Sequence, residues 1–227
     1  MKEYYTEMHL HTSEVSSCGQ ASAREAARLY IGAGYTTVVV TDHFKRHTFE
    51  HHGVTSHTDK MELFLSGWRA VKKTAGDALT VLLGMEITFP QSGNDFLVYG
   101  IDEDFLYGHP GMEDMSLSAF SELARETGLL LYQAHPFRNG MTVINPSLVD
   151  GMEVCNANVR HDSRNHIAAA WADQYGLLKI SGSDFRRTED TARGGIITPV
   201  PVTDNASLLS FLRQGPSLIR PSVEGTW

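Results

Sequence analysis

The chain has 227 residues, 41% of them hydrophobic, and a net charge of −8 with a sequence pI near 5.7. That length suits one large α/β domain spanning residues 1–227 with a buried core, and the charge gives no bulk attraction to long nucleic acid or an anionic membrane. No apolar run reaches the roughly 20 residues of a bilayer span, and two distant cysteines, Cys18 and Cys155, make no disulfide framework and fit a reducing, cytoplasmic setting.

Residues 4–10 read as a first strand, ending in "HLHT" with His9 and His11. Residues two apart in a strand face the same side, so the two rings point together. "SARE", Ser22 to Glu25, is a capping box that opens a helix to about Gly32, with Gly34 as its stop. "TTVVVT", Thr36 to Thr41, is a β-branched strand followed by Asp42 and His43. Five of the eleven histidines fall between residues 43 and 57, where "KRHTFEHHGVTSH" reads as a solvated loop that could cover a site. Asp59 and Glu62 open a helix through "MELFLSGWRAVKK". "LTVLLGMEITF" is a strand ending near Glu86, and "DFLVYGI", Asp95 to Ile101, is the next, followed by Asp102. Ser118 starts a helix. "LLLYQA" is a strand ending at His135, and "GMEVCN" is a strand around Glu153. Residues 163–175 read as an amphipathic helix, "LLKISGSD" as a strand ending at Asp184, "GGIIT" as a short strand, and "TDNASLLSFLRQG" as a helix capped by Thr203 or Asp204.

This β/α alternation predicts a parallel sheet, open or closed into a barrel. His9, His11, His43, Glu86, Asp102, His135 and Asp184 then fall at successive strand ends, the level at which barrel loops build active sites. Each has an ordinary structural explanation alone, as a cap, a strand-end carboxylate or a loop histidine. Those explanations would all have to hold at one face. Imidazoles and carboxylates with no obligatory thiolate suit Zn²⁺, Mn²⁺ or Fe²⁺. Glu153 is placed as a residue that orients a ligand histidine. Arg138, Arg160, Arg186, Arg187 and Arg193 follow these strand ends, and guanidinium forks match phosphate.

"HLHT", "VVVTDHF", "GMEITF", "AHPFR", "GMEVCN" and "SGSDF", in that order, resemble the motifs of the PHP family, the polymerase and histidinol phosphatase metal-dependent phosphoesterases. The resemblance implies a distorted seven-stranded (β/α)7 TIM-like barrel that hydrolyses phosphate esters with a metal-bound hydroxide. It implies His9, His11, Glu86, His135 and Asp184 as metal ligands, with Asp102, or less readily Asp95, where some members use a further histidine. Two departures stand out. The last motif usually reads D-x-H, and here it is Asp184-Phe185-Arg186; the loop after H-x-H usually supplies an Asp or His, and here "SEVSSCG" offers Ser16, Ser17 and Glu14. Both fall on a third metal, so two divalent ions are expected, with the third position weak or absent. Arg186 would then stabilise phosphoryl charge, His43 would act as general acid or bind phosphate, and Arg138, Arg160 and Arg187 would contact substrate. The expected substrate is a small phosphate monoester, with no long nucleic acid and no membrane partner. A phosphodiesterase or exonuclease of the same family and an inactive metal-binding domain are the alternatives. An amidohydrolase-type site is less favoured, since Lys179 lies inside a strand rather than at its end.

Overall fold

A computed structural model describes residues 2–221. Its strands are β1 (Tyr4–Leu10), β2 (Thr37–Val40), β3 (His43–Phe44), β4 (Thr80–Thr88), β5 (Asp95–Tyr99), β6 (Leu130–Gln133), β7 (Gly151–Asn156), β8 (Leu178–Gly182), β9 (Gly195–Thr198) and β10 (Ser217–Ile219). Its helices are α1 (Ala23–Gly32), α2 (Arg46–His51), α3 (His57–Ala75), α4 (Glu103–Gly108), α5 (Leu117–Thr127), α6 (Asn165–Tyr175) and α7 (Asn205–Gln214). The strands form one sheet in the order β10-β9-β1-β2-β4-β5-β6-β7-β8, with β3 beside β4. The sheet curls into a nearly closed barrel. Its seam is a parallel bridge between Leu10 and Phe185, in which Phe185 N–H donates to His9 O at 3.0 Å and His11 N–H donates to Phe185 O at 2.9 Å.

The sheet is mixed, which corrects the expected (β/α)7 barrel. β5 runs antiparallel to both β4 and β6, and β9 runs antiparallel to β1. The reason is connection length. Six residues, "FPQSGN", join β4 to β5, too few for the helical crossover a parallel pair requires. Helix starts shift as well. Ser56, not Asp59, caps α3, and Ser116, not Ser118, caps α5. The histidine-rich run is not structureless, since it contains α2. The Ser22–Glu25 capping box forms as read.

Burial explains the wall. Phe44, Phe49, Phe64, Phe89, Phe96 and Phe120 share one cluster, and each fully buried aromatic of this kind stabilises by roughly 1.5–3 kcal/mol. Tyr30, Tyr35, Val38, Val71 and Phe185 pack α1 and α3 against β1 and β2. Two register shifts interrupt the ladders, one between Glu7 and Leu10 on β1 and one between Glu153 and Cys155 on β7. Bulges of this kind re-aim side chains beside active sites. The buried Glu7 carboxylate occupies the first irregularity, accepting N–H groups from Met8, His9 and Ser183, each at 2.9 Å, and the Tyr30 hydroxyl at 2.7 Å. It thereby ties β1 to the residue before Asp184. Among the described residues, no helix is long and apolar enough to cross a membrane.

Candidate metal centre

At the mouth of the barrel, β1 delivers His9 and His11, and the β3–β4 pairing sets His43 opposite Glu86. His135 and Asp184 follow β6 and β8. All six residues are buried. His135 and Asp184 both sit in the left-handed backbone region, at φ 29° and 49°. Such non-glycine conformations cost on the order of 1–3 kcal/mol each and persist where the surroundings impose them. Close packing does so here. A side chain at Gly182 would meet the His9 Cβ at 2.5 Å and Glu153 Oε1 at 2.7 Å.

The hydrogen-bond network assigns the histidine tautomers. His9 Nδ1 lies 2.9 Å from Glu153 Oε1, and a carboxylate only accepts, so Nδ1 carries the proton. Ser16 Oγ donates to Asp42 Oδ1 at 2.7 Å, so it can only accept from His11 Nδ1, 3.2 Å away. With neutral rings, the Nε2 atoms of His9 and His11 then bear lone pairs, and they face each other at 3.1 Å. Asp184 Oδ1 lies 3.7 and 3.5 Å from the same two nitrogens, and Glu86 oxygens lie 3.3 Å from each. Lone pairs and carboxylate oxygens converging in a buried space repel one another unless a cation, or in its place a proton on His9, sits among them. The residues present therefore fit divalent ions. His43 Nδ1 and Glu86 Oε2 face each other at 2.9 Å, and His135 Nδ1 is buried without a hydrogen-bond partner. Three groups bring ligand atoms within 4.8 Å of one another: His9–Glu86–His135, His9–His11–Asp184 and His11–Cys18–His43.

The titrations carry the same sign. Burial alone would lower the His9 pKa, but the Glu153, Glu86 and Asp184 carboxylates override it and hold the ring well above its ordinary value. Burial would raise Glu86, yet His9 and the hydrogen bonds from His11 and His135 keep it well below the carboxylate range. Asp184, likewise raised by burial, is held down by Arg186, His9, His11 and Arg138. Burial pushes His43 down to about 3. Its imidazole is thus neutral at ordinary pH in the ion-free fold.

Glu153 also accepts His135 N–H at 2.9 Å and Asn156 Nδ2–H at 3.0 Å, so one carboxylate orients two of the histidines. Arg186 Nε donates to Asp184 Oδ1 and Arg138 Nη2 to Asp184 Oδ2, both at 2.8 Å. These two arginines reach the cluster. Arg160 is held by Asp190 in a two-pronged pair at 2.7 Å, and Arg187 lies near Glu189 with its side chain 39% exposed, so both stay at the rim.

Asp102 is not brought to the centre. It is exposed and caps α4, accepting Phe105 N–H at 2.8 Å. Because β5 is antiparallel, its last residues lead to the far end of the barrel, while its first residue, Asp95, pairs with Thr88 at the mouth. Asp95 Oδ2 lies 3.9 Å from His135 Nε2. Glu14 is no ligand either, since it accepts the Ala23 N–H at the start of α1. Cys18, read above only as one of two distant cysteines, stands in the group with His11 and His43. The signal was its place in the loop after H-x-H.

No family model and no curated protein matches the chain. Solved structures do. PsfC from Pseudomonas syringae PB-5123 aligns over 98% of this chain and 93% of its own, at 15% identity and TM-score 0.69. A two-domain protein from Bacteroides vulgatus, described as containing a predicted PHP-like metal-dependent phosphoesterase, aligns over 97% of this chain and 65% of its own, at 14% identity and TM-score 0.68. Endonuclease Q, in complex with a 27-mer duplex bearing an abasic lesion at the active site, aligns over 95% of this chain and 58% of its own, at 12% identity and TM-score 0.67. The chain therefore has the PHP-like phosphoesterase fold, and it spans about two thirds or less of the last two proteins. The Endonuclease Q complex corrects the expectation of a small substrate to the exclusion of long nucleic acid. Net charge is a property of the whole surface, whereas Arg138, Arg160, Arg186 and Arg187 gather beside this mouth, and the local field governs what docks.

Proposed function

We propose that the chain is a divalent-metal-dependent phosphoesterase. One observation carries this reading: the Nε2 atoms of His9 and His11 meet at 3.1 Å inside a buried ring of carboxylates, an arrangement that gathers ligand atoms for a divalent cation and that a proton on His9 satisfies in the ion-free fold. His9, His11 and Asp184 would hold one ion, and Glu86 and His135 would hold another. Bound there, divalent ions would polarise a phosphoryl oxygen and acidify water at neutral pH. The chain's own groups do the rest. Glu153 and Ser16 accept from the Nδ1 atoms of His9 and His11 and so aim their Nε2 atoms at the ions. The Arg186 and Arg138 guanidiniums, fixed on Asp184, offer their remaining N–H donors to non-bridging phosphate oxygens as charge develops. His43, neutral, hydrogen-bonds or ligates rather than donating as an acid.

Two guanidiniums at the ion cluster suit the dianionic charge of a terminal phosphate, which favours a monoester. The duplex held by Endonuclease Q favours a second reading, a diester within nucleic acid. Ion content of protein purified without chelator, paired with turnover of p-nitrophenyl phosphate, bis(p-nitrophenyl) phosphate and abasic duplex DNA, tests both. Bound ions with monoester turnover support the first reading, and diester or duplex turnover supports the second. Protein that neither holds ions nor turns over any of the three after Mn²⁺ or Zn²⁺ is added overturns both.

A further inference from the structure

Of the five histidines between residues 43 and 57, the function proposed above uses His43 alone. Two of the others, His47 and His51, stand four residues apart on α2. Thr48 and Phe49 of that helix are buried, so its opposite face, with His47, Glu50 and His51, points to solvent, and all three are exposed. The helix ends in a fixed way. Gly53, at φ 68°, donates its N–H to Glu50 O, and Val54 N–H donates to Phe49 O, both at 3.0 Å, the paired bonds of a Schellman motif. His51 is thereby held in helical register with His47, one turn above it on the same face. The two ring centroids lie 6.3 Å apart.

The neighbouring groups leave this pair open. His52 Nε2 lies 3.1 Å from Val15 O, and a carbonyl only accepts, so that ring donates and fastens α2 to the loop after β1. Arg46, the cation on the same helix, is taken up by Asp114. Among the described residues, no hydrogen bond or ion pair holds His47 or His51, and Glu50 places a carboxylate between them. We propose that His47 and His51 chelate a transition-metal ion at the surface, a site separate from the buried centre that takes nickel, copper or zinc in preference to manganese or magnesium.

The donor chemistry sets that preference. Imidazole suits nickel, copper and zinc, whereas manganese and magnesium favour oxygen donors. Two histidines four apart on one helix face are a recurrent zinc-binding pair. Both side chains are exposed and unheld, so a change of rotamer closes the rings on one ion at the usual metal–nitrogen distance of about 2.0–2.1 Å, with Glu50 and water filling the remaining positions. The ion would tie the two ends of a six-residue helix, a length at which isolated helices are marginal, and so would order α2. None of its donors belongs to the buried centre, so the site stands whether or not the chain is a phosphoesterase.

An ion held on a resin reads this site apart from the buried centre, which such an ion cannot enter. The untagged whole chain should be retained on immobilised Ni²⁺. His47→Gln and His51→Gln should each lower the affinity for the resin by on the order of 10²-fold, the loss expected when two-point attachment becomes one-point. His166→Gln, at an exposed position on α6, should leave retention unchanged. In solution, hydrogen exchange of the α2 amides should slow when Ni²⁺ is added to the wild type. Either variant should lose that slowing, and Mn²⁺ should not reproduce the part that is lost. Wild-type protein that passes through the resin overturns the site, as does retention that survives in both variants or falls equally in His166→Gln. Unchanged α2 exchange in the wild type overturns the chelate and reduces retention to single histidines, and Mn²⁺ acting as Ni²⁺ does overturns the preference.

Discussion

The two ends of the barrel differ in a way that volume alone misjudges. A large cavity, about 680 Å³, opens at the base, lined by Trp68, Lys72, Asp102, Asp104 and Asp204 among others. It is spacious, yet two of its carboxylates are employed as caps: Asp102 caps α4 and Asp204 caps α7. The mouth is tight, and there imidazoles and carboxylates are buried against one another, with His135 Nδ1 left without a partner. Burying polar groups without full partners costs the fold on the order of 1–3 kcal/mol each, so a fold that keeps several together keeps them for a ligand. Space shows where a molecule could fit, whereas unmet valence shows where chemistry is expected.

Substitutions at the two ends should break or sharpen this contrast. Glu86→Gln or Asp184→Asn should release ions and remove turnover beyond the roughly 10–100-fold loss typical of residues one layer out; metal analysis showing full occupancy in either would break it. Arg186→Ala should lower kcat by on the order of 10²–10³, as removal of a charge-stabilising donor does, with ion content retained, and steady-state kinetics showing wild-type kcat would remove Arg186 from the reaction. Glu153→Gln should weaken ion affinity by roughly 10–100-fold through loss of the His9 orientation, measured by competition with a chelating dye.

A smaller effect comes from pH. The His9 pKa is raised in the ion-free fold, so its contribution to stability is fully present below the ordinary value near 6.5 and is lost as pH rises through the raised one. Ion binding needs the neutral ring. Melting curves should therefore show ion-free protein losing stability as pH rises above about 6.5 while the stabilisation by added ion grows. Parallel curves would mean that protons and ions do not compete at His9. At the base, Asp102→Ala should cost about 1 kcal/mol of stability, the usual worth of an N-cap, with kcat and KM unchanged. A fall in turnover there would draw the far end into the chemistry.

Much of the mouth was legible because its residues are local to strand ends. His9, His11, Glu86, His135 and Asp184 each follow or close a recognisable apolar run, and the structure gathers all five. Asp102 was misplaced because "DFLVY" reads equally well in either direction. Strand polarity is not written in the strand, only in the length of the connection before it. Inverting β5 exchanges Asp102 for Asp95 at the mouth. Cys18 escaped because loops have no periodicity, and its approach to His43 depends on the turn closed at Gly19. The bulges beside His9 and Glu153 were equally silent, since a bulge is a mismatch between two strands and neither sequence contains it.

The seam between Leu10 and Phe185 has a kinetic consequence. The position that uses His9, His11 and Asp184 draws its ligands from the first strand and from the turn after the eighth, and Phe185 sets them side by side by pairing with both histidine backbones. Contacts so distant along the chain form late and slowly, because the intervening segment must be ordered before they are rewarded. During synthesis, the nascent protein carries the complete H-x-H pair long before Asp184 exists. An ion bound at that position would therefore be captured at the end of folding, and would serve as a clasp on a barrel already built rather than a nucleus around which it forms.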